Sequence, residues 1–383
     1  MTRQPIHGLT NAQLVERARE LLPRGHGVAR RIHRQVMMEG RFEPERFGLG
    51  PEASEAWRSE FSFDLPKVVT VRSDEGDHGA TSKMVLRLQD GLEAEAVCIP
   101  MGRGRYTLCV SSQVGCKMGC AFCETGRMGL LRHLSTDEII AQLLVARHRF
   151  GWAIRNIVFM GMGEALDNAK NVIQALRVLN DEAGLAIGQE RLTICTVGHL
   201  EGIRLLRQEG LKRLNLSISL NAANDPLRSE LMPINRRTDL AELQQVLMEY
   251  KPRRNFALGL NYCLLPGIND TEADAHSVAE FCTPLGRVLV NLIPYNPGSS
   301  PLTRAPNEAE VERFIGWLRA EGLPVRQRVT KGRSVMAACG QLGNPSVRED
   351  RPARRATSSR AFSCRGSEPG WAFPGTRSAC ESG

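Results

Sequence analysis

The stretch Val110–Leu130, VSSQVGCKMGCAFCETGRMGL, sets three cysteines, Cys116, Cys120 and Cys123, within eight residues. Ser135-Thr-Asp-Glu138 follows, and then the apolar positions Ile139, Ile140, Leu143 and Leu144. A serine at the N-cap with a glutamate three residues on is a capping box, and the apolar spacing is helical, so a helix opens at Ser135. Tyr106–Ser111, just ahead of the cysteines, reads as a strand. The cysteines therefore lie on a strand-to-helix loop. The alternation recurs downstream, with candidate strands at Asn156–Met160, Leu192–Val197, Leu214–Leu220, Phe256–Leu264, Val288–Ile293 and Val325–Val329 and helical stretches between them. At least six βα units predict an α/β protein with a parallel sheet. In parallel α/β barrels, ligand-binding and catalytic groups sit at the C-terminal ends of the strands, which is where this loop falls.

Cys-x3-Cys-x2-Cys is an uncommon zinc pattern, because structural zinc takes four ligands. His133 could supply the fourth, so zinc stays open on spacing alone. A four-iron cluster suits three cysteines better. Such clusters are usually held by four thiolates, and leaving one iron without a protein thiolate opens a coordination position for a small molecule.

The chain has 383 residues, of which 42% are apolar and 24% charged, an ordinary globular composition. No apolar run approaches the roughly 18 residues of a membrane span, and the first twenty residues hold no signal-peptide core. No membrane association and a cytoplasmic address are expected. Eleven cysteines in such a chain read as metal ligands or catalytic thiols before they read as a disulfide framework. Fifty Lys and Arg against 42 Asp and Glu give +8, a mild preference for a polyanionic partner.

Residues 1–100 look different from the rest: two or three short basic helices, then strands Lys83–Gln89 and Leu92–Ile99 joined by the hairpin signal Asp90-Gly91. We read them as a small α+β accessory domain, residues 101–343 as the barrel domain, and the Ser-, Arg- and Gly-rich residues 344–383 as a disordered tail.

Several motifs occur in a fixed order: the cysteine stretch, then FMGMGEAL, SLNAAND, MPIN, NLIPYNP and AACGQL. In this the chain resembles the RlmN/Cfr family of radical S-adenosylmethionine (SAM) RNA methyltransferases, from about Glu95 to Leu342. The resemblance implies a partial (β/α)6 radical-SAM barrel and a 4Fe-4S cluster on Cys116, Cys120 and Cys123 whose open iron chelates SAM, with two SAM molecules consumed per turnover. Gly161-Met-Gly-Glu164 directly follows a strand. Glycines there permit close backbone approach to a ligand, and a glutamate accepts from an ammonium. The resemblance makes Gly163 and Glu164 SAM contacts, and carries further contacts to Cys195, Ser219, Leu220, Asn221 and Asn296. Relatives usually have Ser where Cys195 stands and His where Asn221 stands. They also carry acidic residues where this chain reads Gly332-Arg-Ser-Val-Met336.

Cys339 and Cys109, taken singly, read as buried thiols. The resemblance makes Cys339 the methyl carrier, Cys109 the thiol that resolves it through a transient disulfide, and Glu95 the proton acceptor. The chemistry explains why such groups are needed. Carbon 2 or carbon 8 of adenine is electron-poor and cannot attack the SAM methyl group as a nitrogen or oxygen would. A thiolate can, giving S-methyl Cys339. One-electron cleavage of a second SAM then yields a radical that activates that methyl group for addition to the ring. The expected substrate is ribosomal RNA, with transfer RNA as a further target and carbon 2 as the site; carbon 8 or another RNA is the alternative within the family. A low-potential donor of the flavodoxin or ferredoxin class and a monomer are also expected. A zinc-stabilised RNA-binding protein is the non-enzyme alternative. Arg103, Arg105, Arg127 and Arg132 lie near the cluster loop in sequence and are candidates for phosphate contact.

Overall fold

The computed structural model describes residues 3–343; the stretch expected to be a tail lies outside the described residues. Three helices open the chain, α1 Asn11–Leu21, α2 Ala29–Glu39 and α3 Pro51–Glu60, flanked by a short parallel pair, β1 Gln4–Pro5 and β2 Phe61–Ser62. Thr10 and Gln13 form a capping box that starts α1. Leu14, Ile32, Val36 and Trp57 bury the inner faces of the three helices in one apolar cluster.

Strands β3 Lys67–Asp74, β4 Thr81–Arg87 and β5 Glu93–Pro100 form an antiparallel meander. The Asp90-Gly91 turn was legible in the sequence, and its chemistry is local. Gly91 takes φ 84°, and Asp90 Oδ1 accepts from the Leu92 amide at 3.1 Å. β5 then pairs antiparallel with β6 Arg105–Cys109, the first strand of the parallel set. The sheet therefore runs unbroken through residue 100.

After β6 come β7 Gln113–Val114, α4 Glu124–Met128 and β8 Arg132–His133, the two short strands pairing antiparallel around the cysteine loop. The βα alternation follows in the expected order: α5 Thr136–His148, β9 Ala153–Phe159, α6 Ala169–Asn180, β10 Leu192–Thr196, α7 Leu200–Gln208, β11 Asn215–Ser219, α8 Asp225–Leu231, α9 Leu240–Glu249, β12 Leu258–Leu264, α10 Glu272–Cys282, β13 Val288–Pro294, α11 Glu308–Ala320 and β14 Val325–Gln327. The Ser135–Glu138 capping box is present at the start of α5.

One ten-stranded sheet results, in the order β14-β13-β12-β11-β10-β9-β6-β5-β4-β3, parallel from β6 to β14. Among the described residues no strand pairs with the outer sides of β3 and β14, so the barrel is partial. The central strands are buried by helices on one face: Ile157, Ile194, Leu216, Leu260 and Val290 pack against Leu144, Leu176, Ile203 and Phe314 in a single core. All the parallel strands point their C-terminal ends the same way, toward the cysteine loop. Among the described residues no helix is long and apolar enough to cross a membrane.

Candidate active site

A cleft opens at the C-terminal ends of the strands. Cys116, Cys120, Cys123, Gly163, Glu164, Cys195, Ser219, Asn221 and Cys339 all line it. Of the residues expected at the site, Glu95, Cys109, Leu220 and Asn296 do not line the cleft. Glu95 and Cys109 lie beneath the segment that carries Cys339, and Leu220 turns its side chain into the core, fully buried. Asn296 is buried and reaches that segment through its amide, which donates to the Cys339 carbonyl at 3.5 Å.

Gly161 and Gly163 let the loop after β9 lie directly on the end of β6. A Cβ on Gly161 would sit 2.7 Å from the Val110 carbonyl carbon and oxygen, and Gly163 has φ 101° with the Gln113 side chain 2.6 Å from where its Cβ would be. The expected consequence of Gly161→Ala is displacement of this loop, because backbone rather than a yielding side chain is in the way. We expect a loss of about 2–3 kcal/mol in denaturant unfolding together with weakened SAM binding; unchanged unfolding would show that the loop has room.

Glu164 is buried. Its Oε1 accepts from the Leu166 amide at 3.0 Å and its Oε2 from the Val197 amide at 2.9 Å, which fixes the carboxylate at the cleft wall. Burial pushes its pKa up to about 7, against the opposing hydrogen bonds from Thr196, Val197 and Leu166. The surrounding loops are locked as well. Lys117, inside the cysteine loop, pairs with Asp167 at 2.5 Å, and Gln113 donates to the other Asp167 oxygen at 2.8 Å while accepting from the Glu164 amide at 2.8 Å.

At the next strand ends, Asn261 donates to the Cys195 sulfur at 2.9 Å, and the Ser219 hydroxyl lies 3.6 Å from the same sulfur. Burial holds the Cys195 thiol up at about 12, so it stays a neutral thiol. Asn221 takes φ 58°, a left-handed conformation in which Asn and His are both enriched. Its Oδ1 accepts from the Cys263 amide at 2.9 Å and its amide nitrogen donates to the Met232 sulfur at 3.2 Å. Asn221 thus suits this backbone turn.

The segment after β14 folds back over the cleft. The Glu124 amide donates to the Gly340 carbonyl at 2.8 Å, the Thr125 hydroxyl to the Leu342 carbonyl at 2.6 Å and the Gly343 amide to Glu95 Oε2 at 3.1 Å. Cys339 itself is exposed. Cys109 is buried below it in an apolar group that includes Ala337 and Leu342, and burial, reinforced by the nearby Cys339, raises its thiol pKa to about 12. In the non-acidic stretch before Cys339, Arg333 donates to Asn296 Oδ1 at 3.2 Å, and Met336 gives its carbonyl to Lys83 Nζ at 3.2 Å. Lys83 also lies 3.5 Å from Glu95 Oε2, both side chains being buried. Lys83 carried no motif signal; it meets Glu95 across the β4–β5 pair and Met336 from 253 residues further on, while Arg333 reaches back 37 residues to Asn296.

The donor set fits an iron–sulfur cluster better than zinc. The cleft lining contains no histidine, and His133 engages Gln113 through Nδ1 at 3.0 Å. Among the described residues no three His, Cys, Asp or Glu side chains are gathered closely enough to hold a single metal ion. Three thiols on one short loop around an open cleft match a cluster with one free iron.

Comparison with known proteins agrees. Residues 110–278 match the radical SAM superfamily. The chain is 46% identical over 274 residues to a probable dual-specificity RNA methyltransferase RlmN 1 of Protochlamydia amoebophila, covering 72% of this chain and 76% of that protein. The chain belongs to the RlmN family of radical SAM RNA methyltransferases. A probable dual-specificity RNA methyltransferase RlmN of Chloroflexus aurantiacus is 38% identical over 349 residues, covering 86% of this chain and 92% of that protein. A crystal structure of a radical SAM methyltransferase from Sphaerobacter thermophilus superposes with a TM-score of 0.80 at 34% identity, over 88% of this chain and 99% of that one. As an RlmN-family enzyme the protein transfers methyl groups to RNA using a 4Fe-4S cluster and SAM, two per turnover.

Of the four arginines expected near RNA, Arg132 is already committed. It makes a two-pronged ion pair with Glu138 and a further pair with Asp90 at 2.6 Å, so it braces β8 against the hairpin and has little left for a phosphate.

Proposed function

We propose that this enzyme methylates carbon 2 of an adenosine in ribosomal RNA, and of transfer RNA as a second target, through an S-methylcysteine at Cys339. The observation that carries this reading is the stacking of thiols: exposed Cys339 on the cleft wall shared with Cys116, Cys120 and Cys123, and Cys109 buried below it. Cys116, Cys120 and Cys123 would hold the cluster, which supplies the one-electron cleavage of SAM. Glu164 and the strand-end groups Cys195, Ser219 and Asn221 would orient SAM, with the Gly163 backbone beneath it. Leu220 supports that wall from the core, and Asn296 holds the Cys339 carbonyl.

Cys339, at the cleft and in reach of solvent, takes the methyl group and presents it to the adenine ring. One hydrogen atom of that methyl group leaves with the deoxyadenosyl fragment of the second SAM as 5′-deoxyadenosine, and the remaining methylene bonds to the ring carbon, so that the RNA is attached to Cys339. The surplus electron of the adduct returns to the electron-transfer chain. Glu95 removes the ring proton. The Cys109 sulfur then attacks the Cys339 sulfur, releasing methylated RNA and leaving a disulfide that an external reductant resets. An adenosine in a loop, splayed out of its stack, is the geometry such a cleft admits. The proton on Cys109 is held firmly in the resting state by burial, which keeps it from oxidising before RNA arrives. A flavodoxin- or ferredoxin-class donor and a cytoplasmic setting, where thiols stay reduced, complete the reading.

Nucleoside mass spectrometry of RNA incubated anaerobically with reconstituted enzyme, SAM and a low-potential reductant tests it. 2-Methyladenosine is the expected product. 8-Methyladenosine would overturn the carbon assignment, and SAM cleavage without any methyladenosine would overturn the substrate assignment.

SAM binding should also carry a pH signature. Glu164 must be ionised to accept from the SAM ammonium, and its pKa of about 7 means that a proton competes with the ligand below neutrality. Calorimetry on the cluster-loaded protein should show affinity flat above pH 7 and falling about tenfold per unit below it. In Glu164→Gln the slope should vanish along with most of the affinity.

A further inference from the structure

Arg228, on α8, is among the largest fully buried side chains of the protein, with 1% of its surface exposed. Its three hydrogen-bond acceptors are all neutral: Nε donates to the Leu220 carbonyl at 3.2 Å, one terminal nitrogen to Asn235 Oδ1 at 2.6 Å and the other to the Val197 carbonyl at 2.7 Å. Among the described residues no carboxylate lies within ion-pair distance of it. The nearest acid, Asp225, is one side chain away, joined through the Asn235 amide at 2.8 Å, and sits at the surface. Buried charges are ordinarily paired, because desolvation of an unpaired ion costs several kcal/mol.

The helix that carries Arg228 faces the cysteine loop. α8 packs directly on the cysteine loop: the Ala121 amide donates to the Leu231 carbonyl at 2.9 Å, and Leu231 and Met232 share an apolar cluster with Cys116, Met118 and Cys120. Burial pulls the Arg228 pKa down to about 10, and Cys120 is the foremost group opposing that shift. The same guanidinium is the cation that favours the Cys120 thiolate. In such surroundings Coulomb attraction is weakly screened.

We propose that the Arg228 guanidinium is the built-in counter-charge of the iron–sulfur cluster, favouring its one-electron-reduced form over the oxidised one. This rests on Cys116, Cys120 and Cys123 being the cluster ligands. Three thiolates and the sulfides leave the cluster anionic, and the arriving electron adds one more negative charge. A fixed cation beside Cys120 stabilises the reduced state more than the oxidised state and so raises the reduction potential, one of the levers a protein has on such a cluster. Because two of its hydrogen bonds also tie the ends of β10 and β11 together, Arg228 is a positioning residue as well, and the test has to separate charge from scaffolding.

The measurement is an anaerobic redox titration of the reconstituted full-length protein, read by the electron paramagnetic resonance signal of the reduced cluster, with iron and sulfide content determined on the same samples. In Arg228→Gln the ratio of reduced to oxidised cluster at a fixed potential should fall at least tenfold, which is 59 mV for one electron. Arg228→Lys, which keeps the charge but not the fork, should titrate close to the unmodified protein. If the glutamine variant fails to assemble a cluster, assembly in the lysine variant supports the proposal and failure in both overturns it. A glutamine variant that titrates like the unmodified protein, or a lysine variant displaced as far as the glutamine one, also overturns it. Absence of a four-iron cluster in the unmodified protein would instead refute the ligand assignment.

Discussion

In Cys339→Ala, methyladenosine formation is expected to fall by more than three orders of magnitude, to below detection, while iron content and SAM binding stay unchanged. The reason is chemical. On the proposed route no methyl group reaches the RNA without the thiol, since the electron-poor ring carbon cannot attack SAM itself. Structure favours a clean outcome: Cys339 is exposed, and the segment that carries it is fastened by main-chain groups of Gly340, Leu342 and Gly343, none of which the substitution removes. Cys109→Ala should behave differently. It removes a buried sulfur from an apolar group, costing about 1–2 kcal/mol of stability. Chemistry should proceed until the RNA is bonded to Cys339 and then stop, so a protein–RNA adduct should accumulate on a denaturing gel. Methyladenosine from Cys339→Ala above one per cent of the unmodified rate would refute the carrier role, and turnover without adduct in Cys109→Ala would refute the resolving role.

The strands and their order were legible because buried parallel strands announce themselves as β-branched runs, as in Leu192–Thr196 and Val288–Pro294. The cysteine loop was legible because its three cysteines are neighbours in sequence. β3 was missed although Val68–Val71 is a β-branched run: Lys67–Asp74 is an edge strand none of whose residues is fully buried, so no apolar–polar alternation marks it. Arg132, grouped by sequence with RNA contacts, is spent on Glu138 and Asp90, a partnership that only the packed hairpin creates. Arg228 gave no signal because one arginine in a helix of mixed composition looks like surface charge. Its burial depends on the cysteine loop closing over α8, more than 100 residues away along the chain.

Glu95 is the sharpest case of that difficulty. In the alternating strand Glu93–Pro100 it could have faced solvent, yet it is buried, because the chain returns 248 residues later to place the Gly343 amide on its carboxylate. Glu95→Gln is accordingly expected to cut methyladenosine formation by about 10²–10⁴-fold, the range for loss of a general base. The glutamine still offers an oxygen to Gly343, so the Cys339 segment should stay in place and SAM cleavage should persist, uncoupled from product. Protonation matters as much as position. Burial raises the Glu95 pKa and Lys83 opposes that rise, so the ion pair favours the ionised carboxylate. Lys83→Met should therefore push the Glu95 pKa further up, which disfavours the ionised carboxylate most at the low end of the working pH range. Its rate should be depressed there and recover as pH rises, whereas the rate of Glu95→Gln should stay low at every pH. If Lys83→Met shows no such recovery, the lysine holds Met336 and the Cys339 segment rather than the charge on Glu95. If Glu95→Gln turns over within about threefold of the unmodified enzyme, the proton leaves the ring to another acceptor.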